Sequence, residues 1–163
     1  MARNKEGKLQ NVKASLEKYV QDNIVLCEDI RVNFEGIIFE NDNSPEWVSE
    51  TILALDDKVY HRGVDVGVDG QTCSVALNFN IFVVKEKTKK TNRHYEIRDV
   101  LADYFYIGKL IPMYDFSNDD FENVIQQLKI REVDTDEPIL DQRKYWIYNY
   151  MVFIDWQEKW DRE

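Results

Sequence analysis

Residues 72–85 read TCSVALNFNIFVVK. Val75, Leu77, Phe79, Ile81 and Val83 fall on one side of a two-residue period, with Ser74, Ala76, Asn78 and Asn80 on the other. Five successive matches describe a strand with one apolar face and one smaller, more polar face. Residues 144–156, KYWIYNYMVFIDW, also alternate, but both sides are apolar. Trp146, Tyr148, Tyr150, Val152, Ile154 and Trp156 share one side; Tyr145, Ile147, Met151 and Phe153 share the other. Such a strand belongs in the middle of a sheet, with helices or another subunit on either side.

Around these two segments the pattern predicts a helix over residues 5–22, where Leu9, Val12, Leu16, Tyr19 and Val20 recur at three- and four-residue intervals. Further strands are expected at 31–39, with Gly36 marking a bulge, at 47–55, and at 121–133. In the second of these, Trp47, Thr51, Leu53 and Leu55 oppose Val48, Ile52 and Ala54. A second helix follows the charged connector 85–93, with Tyr95, Val100, Leu101, Tyr104 and Phe105 on its apolar face and Gly108 as its stop. The polar stretch 56–71, with Gly63, Gly67 and Gly70, reads as a long loop or hairpin. A loop is expected at 109–120 around Pro112, a reversal at Thr135-Asp136-Glu137-Pro138, and an irregular charged tail at 157–163. The expected fold is α+β: a mostly antiparallel four- to five-stranded sheet in one domain, 1–163, covered by the N-terminal helix (within 1–23) and a second central helix.

Composition narrows the function classes. The chain has 163 residues and a net charge of −10, which argues against a protein that coats nucleic acid through a basic footprint. Residues 1–21 hold five basic side chains against two acidic ones, +3, leaving −13 on the remainder. Such polarity suits a subunit whose basic end meets an acidic neighbour, and equally a solvated helix. Aromatics reach 13%, with four Trp and nine Tyr, more than one core of this size needs; Trp and Tyr also supply contact area at interfaces. Cys27 and Cys73 lack metal spacing, sit among apolar residues and read as buried free thiols. No apolar run approaches the ~20 residues of a bilayer span, so a cytosolic chain is expected.

No phosphate-binding, dinucleotide-binding or nucleophile-elbow motif is present. His61 in the polar stretch and His94 at the start of the second helix read as exposed or turn histidines. The acidic groups Asp56-Asp57, Asp119-Asp120-Glu122 and Asp134-Asp136-Glu137 fall in expected turns, where Asp bonds local backbone more readily than it gathers a metal. No catalytic residue, cofactor or metal site is therefore nominated. The dense basic run Lys85, Lys87, Lys89, Lys90 and Arg93 has no interleaved aromatic to stack a base and suits an acidic protein partner better than nucleic acid. Trp156 and Trp160 complete the interface candidates, because interfaces are enriched in Trp and Arg.

The order of elements resembles the tail terminator, or tail completion, proteins of long-tailed bacteriophages. The features that carry it are the amphipathic helix 5–22, the short strand near Val32-Phe34, and Pro45-Glu46-Trp47-Val48 leading into a strand. They continue with the glycine-containing stretch 63–70, the alternating strand 74–84 before a helix at 92–106, and the closing aromatic KYWIYNYMVFIDW. The resemblance implies a non-enzymatic virion protein of the tail or neck, assembled in the host cytoplasm. It implies a homo-hexameric ring that caps the tail tube, stops its polymerisation, and joins the tail tube protein to a head-side connector or stopper protein. Genome DNA would pass the lumen without specific binding, and no membrane is involved. Another neck or connector ring, a small divalent-metal nuclease and a host-protein-binding module are the competing readings.

Overall fold

The structure, a computed structural model, describes residues 8–37, 44–65, 68–85, 92–116, 121–140 and 145–161; side chains of 56–69, 140 and 159–161 fall outside the description. The described architecture is α+β. Helix α1 spans Leu9–Val20, β1 Val32–Asn33, β2 Glu46–Asp65, β3 Val68–Val84, α2 Arg93–Tyr104, β4 Leu110–Tyr114, β5 Val124–Thr135, β6 Ile139–Leu140 and β7 Tyr145–Asp161. The strands form one mixed seven-stranded sheet in the order β1-β2-β3-β7-β5-β4, with β6 also on β7. Every pairing is antiparallel except β1 with β2.

β7 is central, as its two apolar faces require, lying between β3 and β5. It pairs with β3 from Val84↔Tyr145 to Val68↔Asp161. The alternation in β3 is also as expected: Val75, Leu77, Phe79, Ile81 and Val83 are all buried on the helix side. Both helices dock on that face. Val12, Leu16 and Val20 of α1 are fully buried, as are Ile97 and Leu101 of α2. A stripe spaced strictly by four slides around a helix of 3.6 residues per turn. The π-helical turn Gln21–Val25 that follows α1 widens the coil and returns Ile24 to the same buried stripe. The core closes where Tyr150 donates its hydroxyl proton to the Phe105 carbonyl at 2.6 Å, with Phe105 against Tyr19 and Phe79.

Several expectations change. Helix α1 begins at Leu9 in the described residues and continues through the π turn, past the expected end near Asn23. The first strand is only two residues long; Gly36 is not a bulge but sits at φ +81° in the turn after it. Of the two expectations for 56–71, loop or hairpin, the hairpin is found: 56–65 and 68–71 are the outer part of the β2–β3 hairpin, and 66–67 lie outside the described residues. The 109–120 loop contains β4, an edge strand where Pro112 has no N–H to waste. Thr135–Pro138 does not reverse the chain: β5 and β6 both pair antiparallel along the same edge of β7, interrupted where Pro138 cannot donate, and 141–144 lie outside the described residues. Residues 157–161 are not an irregular tail, since β7 extends to Asp161. The sheet accordingly has seven strands, not four or five.

The β4 edge is closed by α1. The Tyr114 N–H donates to Ser15 Oγ at 2.9 Å and the Phe116 N–H to Asn11 Oδ1 at 3.0 Å. This explains why two polar residues, Asn11 and Ser15, lie buried on the apolar stripe of α1: they cap an edge that would otherwise offer free donors.

Candidate assembly surface

Among the described residues no helix packs on the other face of the sheet, where Trp47, Ser74 and Ala76 are buried by their neighbours and most other side chains are half-buried or exposed. Register fixes what stands there, because residues directly opposite in adjacent strands share a face. One row across the sheet holds Trp47, Phe82, Ile147 and Ile139. Two strand positions further on, Ser49, Asn80 and Asn149 align, then Thr51, Asn78, Met151 and Asp134. The next row is Leu53, Ala76, Phe153 and Glu132. Two apolar rows thus flank a polar centre. Trp47 stacks on Phe82 with centroids 4.9 Å apart, and Tyr145 meets Trp47 edge-on at 5.0 Å. In the centre the Asn149 amide donates to Asn78 Oδ1 at 2.6 Å and Asn80 Oδ1 at 3.0 Å. Ile139, at 65% exposure, and Leu53 stand in water at opposite ends of the apolar rows.

Beyond the Leu53 row lies a charged strip. Asp155 Oδ1 accepts from Ser74 Oγ at 2.5 Å and from Arg131 Nε at 3.2 Å, and the Arg131 guanidinium lies over the Phe153 ring. Here β5 parts from β7, and the Gln126 side chain fills in for the missing ladder: its Nε2 donates to the Gln157 carbonyl at 2.9 Å and its Oε1 accepts the Gln157 N–H at 3.0 Å. The resulting wedge encloses about 460 Å³ and is lined by Leu110, Ile125, Lys129 and Trp156 among others.

Of the interface candidates named from sequence, Lys85 and Arg93 lie near the Trp146 end of β7, and Trp156 and Trp160 lie toward its other end. Lys85 is exposed, its Nζ 5.6 Å from the Trp146 ring centre. Arg93 is held by Glu46, with Nε–Oε2 2.8 Å and Nη2–Oε1 3.0 Å, and by Glu96; the Glu46 carboxylate raises the Arg93 pKa further. Lys87, Lys89 and Lys90 lie outside the described residues. Trp156 is buried, and Trp160 pairs through its backbone with Asp69 while its side chain lies outside the description.

Much of the acidic groups lies outside the description. Asp56 and Asp57 lie in β2 with side chains outside the description, Asp119 and Asp120 are outside the described residues, and Asp134 stands in strand β5 instead of a turn. Among the described residues no three His, Cys, Asp or Glu side chains gather closely enough to hold a metal ion. Of the histidines, His61 lies in β2 opposite Gly70 with its ring outside the description. His94 corrects the expectation of an exposed residue: it is buried in the first turn of α2, stacked on Trp146 at 5.2 Å, and burial lowers its pKa. Its sequence neighbours are polar, and its stacking partner lies more than fifty positions away.

The sequence reading missed the bare-face rows as a unit and passed over Glu50, which occupies the helix-side face of β2 between Val48 and Ile52 and is 1% exposed. The signal for the rows was present, since Asn78 and Asn80 interrupt the weaker side of β3 just where Asn149 interrupts the outward side of β7.

Comparison with known proteins shows the fold and nothing finer. No family profile matches the chain, and no curated protein matches it. Eight chains of solved structures do match. One of them, which bears no functional name, superposes with a TM-score of 0.65 over 91% of this chain and 94% of its own, at 9% identity. Among the described residues no helix is long and apolar enough to cross a membrane.

Proposed function

We propose that this protein is a structural ring subunit of a long-tailed bacteriophage, a tail terminator that caps the tail tube, stops its growth and presents the surface to which the head-side connector or stopper attaches. The observation that carries the reading is the bare sheet face, where Trp47, Phe82, Ile147 and Ile139 form an apolar row beside an asparagine centre, with the helices all on the other side. A face of this composition suits a second copy of the chain: aromatic and aliphatic anchors supply area, and the polar centre fixes register.

Contacts repeated head to tail close into a ring when the rotation per subunit divides a circle, and six copies fit the resemblance set out above. The ring stops growth sterically, offering the tube one docking surface and withholding a second. The −10 charge per chain multiplies around such a ring and keeps DNA phosphates from adhering to the lumen. Electron microscopy of the purified protein, alone and mixed with polymerising tail tube protein, tests this. Rings with a central pore, and tubes that stop at a ring, are expected; unassembled protein and unaltered tube growth would refute the reading.

A further inference from the structure

A second feature of the molecule lies where α1 and the turn after β1 meet the β2 edge. Glu50 projects from β2 beneath α1 and is buried. Its Oε2 is 3.5 Å from the Glu35 backbone nitrogen, and its Oε1 has no hydrogen-bond partner among the described residues. Glu35 in turn sends its own carboxylate to the β2 edge, where Oε2 accepts the Ile52 N–H at 3.1 Å. Strand β1 covers only Val48 and Ser49 of that edge by register, so the Glu35 carboxylate is what closes the next donor.

The groups facing Glu50 are Lys13 and Glu17 from α1 and Glu35 from the turn; on β3 its cross-strand partner is Phe79. Lys13 is already paired with Glu17. Among the described residues one lysine therefore serves three carboxylates, and a charge on Glu50, shielded from bulk solvent, is poorly compensated.

We propose that Glu50 is a proton-operated latch: neutral, it lets α1 and the 34–37 turn close over β2 with Glu35 on the Ile52 N–H; charged, it releases the turn and opens that edge. Burial, then the charge of Glu17, pushes the Glu50 carboxyl up to about 7, whereas an opened, hydrated carboxyl returns to the ordinary range near 4.5. Opening is thus favoured increasingly as pH rises from about 4.5 to about 7 and levels off above, since closed Glu50 keeps its proton across that window while open Glu50 loses it. The latch stands on its own geometry, whether or not the chain forms rings.

Amide hydrogen exchange, corrected for the intrinsic pH dependence of exchange, tests it on the full chain. Protection at Ile52 and Glu35 is expected to fall by about 40-fold between pH 5 and pH 7 and then level off, a fold-change set by the difference in carboxyl pKa between closed and open states. In Glu50→Gln the two amides should stay protected throughout. Carbon-detected titration of the wild-type Glu50 carboxyl supplies a check without substitution, with a midpoint near 7 expected. Constant protection in the wild type, the same loss in Glu50→Gln, an ordinary acidic midpoint, or an equal loss at the core amides of β3 would each overturn the latch.

Discussion

Phe79 and Phe82 stand three residues apart on β3 and lead different lives. Phe79 is fully buried against Phe105 beneath the helices, while Phe82 lies half-buried against Trp47 on the bare face. The same contrast holds along β7, where Tyr150, Val152 and Ile154 are buried and Ile147, Met151 and Phe153 are half-buried. Each strand therefore carries two surfaces of different purpose. The helix-covered surface closes the core; on the other, Trp47 and Ala76 are buried while Phe82, Ile147, Met151 and Phe153 stay half-buried at the boundary with water.

The contrast can be broken by substitution, and the largest effect is expected on the covered face. Phe79→Ala should destabilise the monomer by about 3–5 kcal/mol, read from the midpoint of chemical unfolding, because it removes a fully buried ring and leaves a cavity. A value near zero would mean that the helices do not pack as described.

Next comes Glu50, a carboxylate buried on that face. Its folded pKa of about 7 exceeds the ordinary 4.5, so the folded state holds a proton that the unfolded state has lost between those values. Stability should therefore fall as pH rises from about 4.5 to 7 and stay low above, by roughly 2–3 kcal/mol in total at about 1.4 kcal/mol per unit. Glu50→Gln should abolish this slope in unfolding curves taken across the range, and a slope that survives would assign it to another group. Tyr150→Phe should cost about 1–2 kcal/mol, since it strands the Phe105 carbonyl in the core. The smallest effect belongs to the bare face: Ile139→Ser should change monomer stability by no more than about 0.5 kcal/mol, because the side chain is already in water.

The parts of the fold that sequence revealed are those where local pattern and tertiary role coincide. β3 and β7 announce themselves because a long period-two alternation can be satisfied only by a sheet with a buried face. β4 did not, because Leu110–Tyr114 is short and contains Pro112, which reads as a loop until one sees that it lies on an edge. In the outer part of the β2–β3 hairpin Val64, Val66 and Val68 do alternate with Asp65, Gly67 and Asp69, but three glycines and the charged run Asp56-Asp57-Lys58 read as loop, and pairing of 68–71 with β7 extends the sheet there. His94 and Glu50 were illegible for a related reason: their burial depends on Trp146 and on α1, partners brought from distant positions. The aromatic excess hinted at a surface beyond the core, but the two rows needed the register to be seen.

The native mass of the purified protein, measured for the wild type and for Ile139→Ser combined with Ile147→Ser, bears most directly on the bare face. The wild type should assemble to a closed multiple of the 19.5 kDa chain, and the double variant should remain folded and run as a monomer. A wild type that stays monomeric at every concentration, or a variant that assembles as well as the wild type, would contradict the assignment of that face to assembly.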